Sequence, residues 1–269
     1  MKRKIDLIFS IVNFNTEDEL VHLIKSSEHI LKSENISYHF VIVNNFSTNE
    51  SFKNVENLKS QYKFDLIQSD NVGYGNGHNK AILYIKKHYE FKNLVVSNCD
   101  IEMIEVNKNV LDSNDGILGP AILKSSGVNQ NPMYINRHKT LFHLYNYVRQ
   151  KPIKLLFYAT VLYSKLLYGF DSIFSRKNMV YCVHGSFIIF SEASMELLNY
   201  EPFEKNMFLF CEENVIAEKA FTLNIPIYNT TDIKVLHFED ASMNKSNINQ
   251  HSEWKKSYKI FYNKYIQGK

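Results

Sequence analysis

The apolar run at residues 94–97 ends in Asn98, Cys99 and Asp100, so a carboxylate stands at the tip of what reads as a buried strand. Magnesium and manganese prefer oxygen ligands, take one or two carboxylates and complete their shell with substrate phosphates. Asp100 is placed for that task, with Asn98 to orient it; a strand-end Asp also serves as a turn former. A second constellation lies in FLFCEEN, where Glu212 and Glu213 follow Phe208, Leu209 and Phe210. Acids at a helix start are favoured by the helix dipole. An apolar lead-in would also raise their pKa, which suits a general base. His237, just after a strand in VLHFEDAS, is the third element. A lone histidine is more often structural than a ligand, so its meaning depends on Asp100.

Polar side chains gather at other strand ends too: Asn13 and Asn15, then Asn44, Asn45 and Ser47. The loop NVGYGNGHNKA carries Gly73, Gly75 and Gly77, which let a backbone turn sharply or approach a phosphate. It is not GxGxxG, because His78 holds the place of the third glycine, and no Gly-Lys-Ser/Thr makes it a P-loop.

These residues need a scaffold, and the first hundred residues supply one by alternation. Strand-like IDLIFSIVNF, SYHFVIVNN, FDLIQSD and LVVSN are separated by stretches with apolar residues at helical spacing. That order predicts βαβ units and a mostly parallel sheet covered on both faces. Ligands of such sheets bind beyond the carboxyl ends of the strands, where every cluster above falls.

Residues 126–150 read as loop, and 152–170 as an apolar helix. Its stripe of Leu155, Leu156, Ala159, Leu162, Tyr163, Leu166, Leu167 and Phe170, flanked by Arg149, Lys151, Arg176 and Lys177, fits either a membrane surface or a core or dimer helix. YCVHGSFIIFS reads as a strand, SEASMELLN as a helix, and 254–265 as a short terminal helix. The expected organisation is one catalytic unit over 1–242, with halves 1–123 and 178–242 around an insert at 124–177, and a tail at 243–269.

A hydrophobic fraction of 45% with 22% charged residues predicts an ordered globular chain, and a net charge of +3 without a basic stripe excludes a nucleic-acid footprint. Three distant cysteines without CxxC spacing argue against a disulfide framework or zinc knuckle and fit a cytoplasmic protein. Asp6 interrupts the apolar start too early for a signal peptide, and no apolar run reaches the ~18 residues of a membrane span.

Taken together, SIVNFN, VIVNNFSTNES, NVGYGNGHNKAI, VVSNCDI, GILGPAIL, HGSFIIFS, FLFCEEN and VLHFEDAS resemble, in family order, the family 2 glycosyltransferases, in particular the rhamnosyltransferase-like group of bacterial surface-polysaccharide synthesis. The resemblance covers about residues 5–242. It implies a GT-A fold (a Rossmann-like, mostly parallel sheet flanked by helices, here with a helical insert and a short C-terminal helix), and inverting transfer from a nucleotide-diphosphate sugar to a hydroxyl of a glycan or polyprenyl-linked acceptor. It further implies that Asn13, Asn15, Asn44 and Ser47 line the donor pocket with Gly75, His78, Asn79 and Asn98 nearby, that Asp100 and His237 hold Mg²⁺ or Mn²⁺, and that Glu213 is the base with Glu212 in support. Work at the inner membrane face, and a homodimer, are further expectations.

Two departures stand out. Asn44 and Asn49 replace acids of the family's V-D-N-x-S-x-D pattern, and Cys99 replaces a proline. The acid losses keep open a non-catalytic sugar-nucleotide-binding homologue. A nucleotidyltransferase would need a glycine-rich basic loop after the first strand, where NFNTEDE is acidic and lacks glycine.

Overall fold

The computed structural model describes residues 4–46, 48–151, 153–174, 178–239 and 249–268, which leaves Ser47, Arg176, Lys177 and the last residues of VLHFEDAS outside the described part. The predicted alternation is present: β1 (Lys4–Asn13), α1 (Glu17–Ser33), β2 (Tyr38–Phe46), α2 (Asn49–Leu58), β3 (Phe64–Asp70), α3 (Tyr74–His88) and β4 (Glu90–Ser97). Then follow β5 (Ile101–Glu105), α4 (Lys108–Asp112), β6 (Ile117–Lys124), α5 (Lys139–Gln150), α6 (Lys154–Phe174), β7 (Phe187–Ser191), α7 (Glu192–Leu197), α8 (Glu212–Leu223), β8 (Ile227–His237) and α9 (Gln250–Phe261).

The strands form one sheet in the order β3-β2-β1-β4-β7-β6-β8-β5. The β3, β2, β1 and β4 pairings are parallel, as is β6 with β8, while β7 runs antiparallel to both neighbours and β5 antiparallel to β8. Strand periodicity splits the core in two. Ile8, Val41, Val43, Leu94, Val96, Ile188 and Phe190 point to one face, under α3, α8 and α9. Leu7, Phe9, Ile11, Phe40, Ile42, Val95 and Phe187 point to the other, under α1 and α2. Leu7, Ile8, Phe9 and Ile11 of β1 are fully buried, each adding about 1.5–3 kcal/mol of apolar burial. Continuous apolar strands of this kind require cover on both faces.

The helices follow their local chemistry. Glu17, Asp18 and Glu19 open α1 and Lys32 closes it, matching the dipole, while Leu20, Leu23, Ile24 and Leu31 face the sheet. Thr48 caps α2 by accepting from the Ser51 amide at 3.1 Å.

One expectation is corrected, and one open choice is narrowed. Part of the stretch expected to be loop is α5, whose Leu141, Phe142 and Val148 are buried at helical spacing. The apolar residues of α6 point mostly outward rather than into the core, since Leu155, Leu162 and Leu166 are all at least 60% exposed. The terminal helix α9 packs against the main body, with Tyr258 and Phe261 in the larger core.

Candidate active site

A cavity of about 380 Å³ opens at the carboxyl ends of β1, β2 and β4. Asp100, His237, Glu212 and Glu213 all line it, although up to 137 positions of sequence, from Asp100 to His237, separate them.

Asp100 and His237 are brought together by the sheet. Ile101 pairs with His237 in the β5–β8 register, and the Phe238 amide donates to the Asp100 carbonyl at 3.0 Å. His237 Nε2 lies 3.4 Å from Asp100 Oδ1 with both side chains under a tenth exposed. The histidine's other nitrogen is held from behind. Lys124 lies 2.7 Å from Glu239 and, by its hydrogen bond, holds that carboxyl below the usual range, so Glu239 can only accept. Gln130 therefore turns its amide nitrogen to Glu239 (3.0 Å) and its oxygen to His237 Nδ1 (2.8 Å). Nδ1 must carry the proton, and in the neutral ring Nε2 then presents a lone pair towards a carboxylate. Two acceptors face to face call for a cation or a proton between them, and an outer partner on the second ring nitrogen is the usual setting of a metal-binding histidine. Among the described residues no group of three or more His, Cys, Asp or Glu side chains is arranged to hold a metal. An oxygen and a nitrogen ligand alone fit magnesium or manganese, whose remaining positions go to phosphates and water.

The acid pair depends on a strained approach. Phe210 and Cys211 both have left-handed backbones, φ 72° and 67°, a conformation that is costly without glycine and that turns the chain into α8. Glu212 is 7% exposed, and its Oε1 has no hydrogen-bond partner among the described residues. Burial, reinforced by the charge of Glu213, pushes its pKa up to about 8. Burial also raises the pKa of Glu213. The Glu213 carboxylate reaches the Cα of Gly185, where an added Cβ would lie 3.5 Å from Oε2. Tyr74 donates to the Gly185 carbonyl at 2.9 Å, and burial, with the nearby Glu212, keeps its phenol protonated.

The glycine loop buttresses this segment. Gly73 has φ +87°, its Cβ would fall 2.2 Å from the Phe208 carbonyl oxygen, and the Tyr74 amide donates to that same oxygen at 3.0 Å. Gly75 sits against Phe203, Asn79 donates to the Phe203 carbonyl at 3.2 Å, and His78 is fully buried with Nδ1 2.8 Å from Ser10 Oγ. Gly75, His78 and Asn79 therefore lie behind the cavity wall, spent on packing.

Asn13 and Asn44 likewise lie beneath the cavity. Asn13 donates to Asn44 Oδ1 at 2.8 Å, Asn44 donates to Gln68 Oε1 at 3.0 Å, and Asn13 Oδ1 accepts from Thr16. Asn15 does not line the cavity, whereas Asn98 does, its amide donating to the Ser186 carbonyl. Gln130 and His184 were not singled out in the sequence, and Asn45 entered it only as a member of the strand-end cluster with Asn44 and Ser47. Asn45, next to Asn44 and therefore on the opposite side of β2, is 1% exposed with an unpartnered Oδ1 among the described residues. Gln130 had no sequence signal, since its partner is 107 residues away. His184 stood inside the HGSFIIFS motif; the Ser186 amide donates to its Nδ1 and burial lowers its pKa to about 4, so it is neutral.

The sequence matches no family model and no curated protein. Solved structures are similar. GalNAc-T7, determined with UDP, GalNAc and Mn²⁺, superposes with a TM-score of 0.63 at 9% identity, covering 98% of this chain and 50% of that one. TarS of S. aureus, residues 1–349 with UDP-GlcNAc, gives 0.54 at 14% identity over 95% of this chain and 66% of that one. The mannosyltransferase PcManGT of Pyrobaculum calidifontis, with GDP-Man and Mn²⁺, gives 0.54 at 9% identity over 98% and 65%. The fold is that of the GT-A glycosyltransferases. This chain spans only 36% of the length of TarS and half of GalNAc-T7, so the GT-A core is the part they share with it.

Proposed function

We propose that this protein is an inverting glycosyltransferase that moves a sugar from a nucleotide-diphosphate donor to a hydroxyl of a glycan or lipid-linked acceptor, in bacterial surface-polysaccharide synthesis in the cytoplasm. The observation that carries this reading is one cleft holding both an Asp100–His237 pair suited to a divalent cation and a carboxylate pair of which Glu212 is buried with an oxygen that has no hydrogen-bond partner among the described residues. Mg²⁺ or Mn²⁺ on Asp100 and His237 would supply charge neutralisation for the donor diphosphate.

The chain's own residues account for the remainder. Asn45 Oδ1 can accept an N–H from the nucleotide base, in the place expected of Asn44. Glu213, open to the cleft beside Gly185, takes the proton of the acceptor hydroxyl as that oxygen bonds to the anomeric carbon and the bond to the diphosphate oxygen breaks. Attack from the face opposite the leaving group inverts the anomeric centre. Glu212, holding its own proton up to about pH 8, leaves Glu213 as the one negative charge of the pair. Tyr74, by donating to the Gly185 carbonyl, fixes the backbone that Glu213 lies against.

The test is a thermal-shift panel with UDP, GDP, dTDP and CDP, each with and without Mn²⁺, on the native protein and Asp100→Ala. Native-state ligands raise the melting temperature by mass action. A Mn²⁺-dependent shift with one nucleotide, absent in Asp100→Ala, is expected and names the donor class. A panel with no shift overturns the reading. Donor hydrolysis without acceptor then separates an enzyme from a sugar-nucleotide-binding homologue.

A further inference from the structure

The helix α6 is built inside out. Leu155, Leu162, Leu166 and Ile173, spaced by seven, four and seven residues, fall on one line of the helix and are 79%, 60%, 64% and 76% exposed. Tyr158 and Phe170 widen the stripe at 67% and 62% exposed. Among the described side chains of the helix, the buried ones are polar. Thr160 returns its hydroxyl to the Leu156 carbonyl, and Asp171 meets His138 at 2.8 Å. A surface helix of a water-exposed protein shows the reverse arrangement, and a contiguous apolar patch of this kind marks a contact surface.

Charge identifies the partner. Between residues 139 and 174 the cations are Lys139, Arg149, Lys151, Lys154 and Lys165, and the one acid is Asp171, buried against His138. On the helix, Lys154 and Lys165 are eleven residues apart and so flank the apolar line on the same side. A second copy docking through this face would bring lysine to lysine with no exposed acid to pair them. An anionic lipid surface satisfies both halves of the pattern: leucine, isoleucine and aromatic side chains enter the boundary of the acyl chains, while the lysines meet headgroup phosphates. No described helix is long and apolar enough to cross a membrane, so the contact is one of lying on the surface. We infer that α6 docks this protein on an anionic membrane, with the line Leu155–Leu162–Leu166–Ile173 as the inserted edge.

Co-sedimentation of the full chain with vesicles tests this, using phosphatidylcholine alone and phosphatidylcholine with 30–40% phosphatidylglycerol, an anionic content of about the level that gives a polybasic segment a readable attraction. Binding to the anionic vesicles, weakened by salt, is expected. Leu162→Asp with Leu166→Asp, and separately Lys151→Glu with Lys154→Glu and Lys165→Glu, should each lower the bound fraction at least roughly tenfold. Their melting temperatures and nucleotide shifts should stay unchanged, because the altered side chains are exposed and away from the cleft. Equal or absent binding across wild type and variants overturns the inference. So does a wild-type dimer in light scattering that Leu162→Asp with Leu166→Asp turns to monomer, which assigns the face to a second copy.

Discussion

The two sides of the cleft use polar residues in opposite ways. Under the ends of β1, β2 and β3, Asn13, Asn44 and Gln68 form a chain of neutral amides that spend their hydrogen bonds on one another. Across the cleft, Asp100 lies 3.4 Å from His237 Nε2, Glu212 keeps an oxygen with no hydrogen-bond partner among the described residues, and two non-glycine residues hold left-handed backbones. The amide side is a floor, which stability alone explains. The acid side carries buried carboxyls and backbone strain of the kind that gathers at functional sites, and that asymmetry is why we propose the chemistry there.

The contrast can be broken from either side. The largest effect is expected from Glu213→Gln, which should lower transfer by about 10²–10⁴ while leaving the Mn²⁺-dependent nucleotide shift in place; unchanged turnover would move the base to Glu212. Next, Gln130→Leu removes the acceptor that fixes the His237 proton on Nδ1. Mn²⁺ affinity, read by calorimetry on the unliganded protein, should fall about 10–100-fold, and unchanged affinity would mean that His237 is not a ligand. Asn44→Ala removes the nearer acceptor of the Asn13 amide, leaving it Glu17 at 3.4 Å, and the donor to the Gln68 oxygen, and should cost about 1–3 kcal/mol in denaturant unfolding with nucleotide binding intact. Lost binding at full stability would make the floor part of the site.

The last test is a slope. The native state keeps the Glu212 proton up to about pH 8, whereas the unfolded chain releases it near the ordinary 4.5. Unfolding therefore releases a proton across that window, and this group's contribution to stability falls as pH rises through it. Glu212→Gln should flatten the fall in melting temperature between pH 5 and 8. An unaltered slope would show that Glu212 is ionised in the native protein.

Much of this architecture was legible because it rests on local periodicity. Apolar runs ending in polar side chains predicted β1 to β4 and the edge where the cleft opens. Asp100 and the Glu212–Glu213 pair were legible because a carboxylate after a core strand is chemically conspicuous. What stayed hidden depends on facing. Asn44 and Asn45 are indistinguishable as letters, and only the pleat decides that one lies beneath the cavity and the other lines it. Gly73 and Gly75 read as able to turn sharply or approach a phosphate, and that Phe208 and Phe203, more than a hundred residues on, pack against them could not be read from the sequence. The helix α5 was missed because Tyr, His, Asn and Thr, all modest helix formers, dilute its signal, and its apolar positions gain their meaning from α9.

One contact gives the chain a timetable. Ser257 Oγ of α9 donates to the Leu209 carbonyl at 2.6 Å, a few residues before the acid pair. On the ribosome, residues 208–213 emerge well before 250–261, so the segment that aims Glu212 and Glu213 waits for its last tether. This tether on the acid segment can form only once residues 250–261 have been made, after every strand of the sheet has been synthesised.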